Sequence, residues 1–486
     1  MSSYSRVSDK IYSYLVETFG KEAAKNYVDF VQEEPAKYIR VNERKINRDA
    51  LSAHLLETYG IKTELVPYPP NALKIKDGFD YAGSTLEIAF GFYYMQALTS
   101  MLPPFVLNPS EKDIVLDLCS APGSKTTQLA EMMNNKGVLV VNELEMKRIK
   151  ALAFNLDKMN LLNCGIVNQR GEILSKYYDS YFDKILVDAP CSGLGIIQKK
   201  TEVSKWWSIE RVNNLSEIQT KLLVSAIKML KVGGEMVYST CTLTPEENEL
   251  IINRILKKYP IEVEGVNIPI AHHKGLTEYK NENLDKRLSK AIRTFPWETD
   301  SDGFFLIKLK KTEETKALEQ FKWKKHFLMT MHKPSDIIIN DKLKMLAQEF
   351  GIETDVFSNY KFLLKRNDMY FTSSEWSDND LGLFHRVGTK FGMIDKNGNI
   401  VLHSFAAQIL QDFISKNIYD LKSLDELRLY LMGALIPTDQ LSPGQYVIRF
   451  NNYVLGTGVV IKGGLKSRYP RSSRTQTIRI KRQKVQ

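Results

Sequence analysis

Between residues 111 and 310, four short apolar runs, IVLDL (114–118), VLVVN (138–142), KILVD (184–188) and EMVYS (235–239), alternate with amphipathic segments. The runs are nearly continuous and rich in β-branched residues, so each predicts a strand buried on both faces. The segments between them, SKTTQLAEMM, EMKRIKALAFNLDKM and SEIQTKLLVSAIKML, carry the period of helices packed on one side. Parallel strands cannot be joined by tight turns and need crossovers of this kind. The pattern therefore predicts an α/β fold with a parallel, doubly wound sheet.

That sheet accounts for under half of the 486 residues, and the rest divides by composition. Residues 1–90 begin with helical periodicity and move to strand-like runs such as YIRVN, which predicts a small α+β domain. The core is expected over 91–311, a connecting α/β region over 312–425, and a strand-rich module with a basic tail over 426–486. The stretch 88–110 lacks charge, but Gln96, Thr99, Ser100 and the Pro103-Pro104 pair argue against a membrane span. It is expected to be a buried helix that ends at the prolines. The charged stretch after Lys311 is expected to be a surface connection. Four cysteines, none spaced as half of a zinc site, exclude a secreted disulfide framework and point to reduced thiols in the cytoplasm. The net charge of +10 favours a polyanionic partner, nucleic acid ahead of an anionic membrane.

Ligands of an open α/β sheet bind beyond the carboxyl ends of its strands, so the residues after each run carry the functional signal. The first run enters Cys119, Ser120, Ala121, Pro122, Gly123, Ser124 and Lys125, a loop leading into a helix and suited to a nucleotide-like ligand. It is neither a dinucleotide fingerprint nor a P-loop. The second run ends at Glu143, either a ribose-binding acid or an exposed helix-capping one. The third ends in Asp188-Ala189-Pro190-Cys191 and the fourth in Thr240-Cys241-Thr242, which would bring two thiols and a carboxylate to one mouth. Cys164, in a plain stretch, is expected to be core.

The stretches VLDLCSAPGSKT, VNE, VDAPCSG, YSTCTLTPEENE and RTFPWETDSDGFF, in this order, resemble the RNA (cytosine-5) methyltransferases of the RsmB/Nop2/Sun type. YIRVN and GFYYMQALTSMLP are similar to that family's amino-terminal, RNA-binding region. LGTGVVIKGGLKSRYPRSSR resembles the PUA-like RNA-binding module of its bacterial RsmF subfamily. The resemblance implies a Rossmann-like core that uses S-adenosylmethionine to methylate RNA, with small-subunit ribosomal RNA or the small ribosomal subunit as partner and neither metal nor membrane.

It also implies site roles. Cys119 to Lys125 would wrap the methionine part of the cofactor, Glu143 would hold its ribose, and Asp188 would lie near both cofactor and target cytosine. Cys241 would be the nucleophile and Cys191 the cysteine that assists product release. A DNA methyltransferase would leave Cys241 unexplained, and a noncatalytic assembly factor would need neither thiol. This chain departs from the family at Ser124, where a glycine is usual, and at Leu194, where the closest subfamily commonly has Glu. It departs again at Arg170, where an Asp usually contacts the adenine amine. A backbone carbonyl or Asn168 then replaces that contact, or cofactor affinity is lower. Lys125 would act on the cofactor side or lie on the surface, and Trp206-Trp207 would stack a base or fill the core. The nine cations from Lys462 onward, with Tyr469 among them, are read as an RNA surface, with Arg40, Lys199 and Lys200 as a second basic locus.

Overall fold

The computed structural model describes residues 6–316, 329–378, 380–439, 441–474 and 478. The strands of the central sheet are labelled β1 (Ile114–Asp117), β2 (Val138–Asn142), β3 (Cys164–Val167), β4 (Phe182–Asp188), β5 (Leu230–Thr240) and β6 (Phe304–Lys311). Its main helices are α1 (Ser124–Met132), α2 (Met146–Lys158) and α3 (Ile209–Met229). The four apolar runs thus form β1, β2, β4 and β5, as their period predicts. The order across the middle of the sheet is β6-β5-β4-β1-β2-β3, parallel from β5 to β3, with β6 antiparallel to β5. Leu129, Leu152 and Leu156 of α1 and α2 bury against one face, and Leu222, Ala226 and Ile227 of α3 against the other. The chain reverses its winding between β1 and β4, which opens a crevice at their carboxyl ends.

The flanking regions are less independent than the composition suggests. Helices Asp9–Phe19 and Lys21–Gln32 lay Ile11, Tyr14 and Tyr27 against Leu194, Val203, Trp207 and Leu243 of the central unit. Residues Lys37–Val41, Lys62–Leu65, Ala72–Asp77 and Tyr93–Met95 form a four-stranded antiparallel sheet. That sheet runs past residue 90, and its core is continuous with the carboxy-terminal unit: Leu55 and Tyr93 share one cluster with Tyr430 and Leu455. The carboxy-terminal sheet starts before 426, because Ile418–Asp420 pairs in parallel with Gln445–Phe450. The intervening region contains a five-stranded antiparallel sheet and sends Phe384–Val387 to the outer edge of β3.

Several expectations are corrected. The stretch 88–110 is not one helix: it contains strand Tyr93–Met95, a single-turn element and helix Leu102–Leu107. The two prolines lie in the first turn of that last helix, where a missing N–H costs nothing, so they start a helix instead of ending one. Among the described residues no helix is long and apolar enough to cross a membrane. Lys311 is fully buried, with its ammonium on the Leu230 carbonyl at 2.7 Å, and residues 317–328 of the connection lie outside the described residues. Tyr469 is 2% exposed and packs between Phe90 and Tyr430, so it is core and not part of a basic surface. Arg479, Lys481, Arg482 and Lys484 of the tail lie outside the described residues.

Candidate active site

The crevice at the β1/β4 reversal is a cleft of about 740 Å³, within the range of small-molecule sites. It brings together Cys119, Ala121, Glu143, Arg170, Asp188, Cys191 and Cys241 from the ends of five strands, β1 to β5. Ser120, Pro122, Gly123, Ser124 and Lys125 build its wall without lining it. The Ser120 amide bonds the Asn142 carbonyl at 3.0 Å, which ties the loop to β2. Gly123 has φ +108°, a conformation L side chains rarely adopt, and a Cβ there would lie 3.0 Å from a Leu152 methyl, so the backbone conformation calls for glycine. Ser124 is already helical, and its hydroxymethyl group therefore replaces the usual glycine without strain.

Cys191 and Cys241 follow the adjacent parallel strands β4 and β5, and their sulfurs are 3.2 Å apart. Both are free thiols. The neighbouring Cys241 sulfur, burial and the Glu247 carboxylate push the Cys191 thiol well up. Cys119, the third sulfur of the cleft, is pushed up by burial and by Asp117, Asp188 and Glu143, which keeps it a thiol. Cys164 is 2% exposed in β3, as expected of core.

Lys125 is 8% exposed, which removes the surface reading. Its ammonium donates to Asp188 Oδ2 at 2.7 Å and Ser100 Oγ at 2.9 Å, while Ser239 Oγ donates to Asp188 Oδ1 at 2.8 Å. Asp188 is thus oriented by two fixed donors at the mouth of β4. Glu143 is 4% exposed and is not the N-cap of α2, a position held by Glu145. Its Oε1 accepts from the Glu145 amide at 2.9 Å, and Oε2 lies 3.3 Å from Arg148. Arg170 lines the cleft, but its guanidinium pairs with Glu172 at 3.3 Å and is largely exposed. Asn168 turns its amide onto the Glu143 and Leu144 carbonyls, both at 2.8 Å, bracing that acid. Trp207 is 5% exposed and Trp206 38%. The pair therefore divides: Trp207 is core, and Trp206 borders the cleft with Arg211 stacked on its ring at 4.3 Å. Leu194 is fully buried against Tyr27, an environment that would desolvate a glutamate and so accounts for the leucine.

A family profile described as 16S rRNA methyltransferase RsmB/F matches residues 104–310. The ribosomal RNA small subunit methyltransferase F of Shewanella piezotolerans is 32% identical over 443 residues, 89% of this chain and 90% of that protein. The chain belongs to the RsmB/F family. The tRNA (cytosine(49)-C(5))-methyltransferase of Pyrococcus abyssi is 33% identical over 312 residues, 63% of this chain and 99% of that one. Among solved structures, a methyltransferase homolog protein from Pyrococcus horikoshii gives a TM-score of 0.56 at 29% identity, covering 62% of this chain and 93% of its own. NSun6 from Pyrococcus horikoshii with SFG gives 0.55 at 23% identity, covering 64% and 100%, a likeness of fold.

RsmB/F proteins are S-adenosylmethionine-dependent methyltransferases, and the residues of the cleft fit that cofactor. The buried Glu143 carboxylate offers acceptors to ribose hydroxyls. Motif reading missed two buried acids of the site. Asp117 ends β1 behind the 119–125 loop, where burial pushes its carboxyl up to about 7 and Thr126 donates to it at 2.6 Å. Glu247 lies behind both thiols. Each falls inside a quoted motif, but only burial and the donors around it distinguish it from a surface acid.

Proposed function

We propose that this chain transfers a methyl group from S-adenosylmethionine to carbon 5 of cytosine in RNA through a covalent adduct between Cys241 and carbon 6. The observation that carries this reading is the pair of sulfurs 3.2 Å apart in one cleft with Asp188. Carbon 5 of cytosine is too weak a nucleophile to react unaided. When Cys241 adds to carbon 6, the C6–S bond forms and the ring electrons move toward carbon 5, which becomes enamine-like. Asp188, held by Lys125 and Ser239, accepts the exocyclic amine of the cytosine and fixes the ring over Cys241. S-adenosylmethionine, when bound, supplies the electrophilic methyl group. Release then requires loss of the carbon 5 proton: its C–H electron pair restores the C5=C6 bond, and the C6–S pair returns to Cys241. Cys191, beside that sulfur, takes the proton in its thiolate form, becoming a thiol, and later releases it to solvent.

Glu143 and the 119–125 loop hold the cofactor. With Asn168 and Arg170 both engaged elsewhere, the adenine amine is left to a backbone carbonyl of the 168–171 turn.

Small-subunit ribosomal RNA is the substrate we assign, in the cytoplasm, because relatives named for that substrate align along 89% of the chain and the tRNA enzyme along 63%. The amino-terminal domain and the PUA-like module with its basic tail supply RNA affinity. Arg40 does not contribute, being fully buried.

The test uses labelled cofactor and small-subunit RNA. Cys241→Ala abolishes methyl transfer, whereas Cys191→Ala forms a protein–RNA adduct that survives denaturing electrophoresis. A stable adduct in Cys241→Ala and none in Cys191→Ala would reverse the assignment. Methylation confined to a tRNA transcript would overturn the substrate.

A further inference from the structure

Behind the two thiols lies a carboxylate with no exposure, Glu247, at the end of the short turn Pro245–Glu247. Its Oε1 accepts from the Ser192 amide at 2.8 Å and from Gln219 Nε2 at 2.9 Å. Its Oε2 accepts from Thr244 Oγ1 at 2.7 Å and from Ser192 Oγ. Ser192 follows Cys191, Thr244 belongs to the loop that begins at Cys241, and Gln219 is on α3. Ser192 and Thr242 also share a hydroxyl contact at 3.0 Å, and Gln219 reaches the Pro190 carbonyl at 2.8 Å. One carboxylate therefore gathers four donors from three segments, the loop after β4, the loop after β5 and α3. Burying this carboxylate costs desolvation, which the four donors offset.

We propose that Glu247 is a positioning residue for the reaction: it locks the loop after β4 to the loop after β5 and so holds the Cys191 and Cys241 sulfurs in register. The inference rests on the proposed division of labour between the thiols and adds what enforces it. The negative charge of Glu247 also opposes ionisation of Cys191, behind the larger effects of the Cys241 sulfur and of burial. The ionisable groups facing this cluster are Cys191, Cys241, Glu247 and Tyr238, whose hydroxyl donates to the Glu247 carbonyl at 2.6 Å.

The experiment measures alkylation of each thiol by iodoacetamide across pH in the intact protein, without RNA or cofactor, read by mass spectrometry of the separate Cys191 and Cys241 peptides. Glu247→Gln keeps the size and one acceptor oxygen, and the Ser192 and Thr244 hydroxyls can turn to accept from its amide. It removes the charge, so the Cys191 profile moves to lower pH. A shift of about one pH unit is about tenfold in alkylation rate below the thiol pKa. Ser192→Ala removes one strut only and keeps the charge, so the profile stays in place while resolution of the RNA adduct slows. Cys191 and Cys241 profiles in Glu247→Gln that match the native protein would overturn the proposal. So would native adduct resolution in both variants. If Cys241→Ala still methylates RNA, the covalent reading fails, while the alkylation profiles still decide the role of Glu247.

Discussion

Replacing Arg40 by methionine tests whether the amino-terminal sheet is bolted to α1 and the 119–125 loop before it. Arg40 has no exposure, and its guanidinium lies 3.0 Å from Glu131 on α1. It also donates to the Ser124 carbonyl at 2.7 Å and Thr127 Oγ1 at 2.8 Å, and to Gln96. Methionine fills much of the volume but leaves the Glu131 carboxylate buried and unpaired, a change that costs about 3–5 kcal/mol. Burial already pushes the Glu131 carboxyl up, and Arg40 pulls it back. Without Arg40 the folded state takes up a proton more readily than the unfolded chain, so the loss shrinks as pH falls. Urea unfolding at about pH 8 and about pH 5.5 reads this directly, with the larger deficit at the higher pH. Adding Glu131→Gln removes the stranded charge and recovers more than half of the loss. A deficit below about 1 kcal/mol, equal at both pH values, would refute a buried, charge-coupled junction.

Two further outcomes follow from packing and burial. A Cβ on Gly195 would lie 2.1 Å from the Gly303 carbonyl oxygen and 2.8 Å from that of Cys241. Gly195→Ala therefore displaces the Cys241 loop and lowers the methylation rate by tenfold or more, with cofactor affinity by calorimetry nearly unchanged; equal losses in both would show a general collapse of the cleft. His403 caps the helix Ser404–Ile409 through Nδ1. Burial lowers its pKa from 6.5 to about 4. The unfolded chain protonates first as pH falls from 6.5 toward 4, so stability is lost across that window by up to about 3 kcal/mol. His403→Asn keeps an acceptor and flattens that limb of the urea midpoint against pH; an unchanged limb would locate the sensitivity elsewhere.

The central sheet was legible because buried parallel strands have a signature that needs no context: β1, β2, β4 and β5 fall where the apolar runs lie. The gathering of the candidate site residues was legible with it, since the residues after those strands must face one crevice whatever the rest of the chain does. Glu247 was not, because its motif shows an acid and not the four donors that reach it from three segments. The split of Trp206 from Trp207 was equally hidden, since adjacent residues of one type differ only in which neighbour arrives.

The sequence by itself determined four of the strands, β1, β2, β4 and β5, their parallel winding and the chemical groups at their ends, all consequences of local period and residue type, whereas β3, around Cys164, and β6 carried no such signal. Tertiary structure alone decided which polar residues are surface and which are struts. Arg40 is a lone cation in the strand-like run YIRVN, and Tyr469 stands among the cations of KSRYPR, and neither context says what meets the side chain. Arg40 is buried because α1 brings Glu131 to it, and Tyr469 because Phe90, nearly four hundred residues earlier, packs on its ring. Burial is a property of pairs of distant segments, and no local pattern carries it.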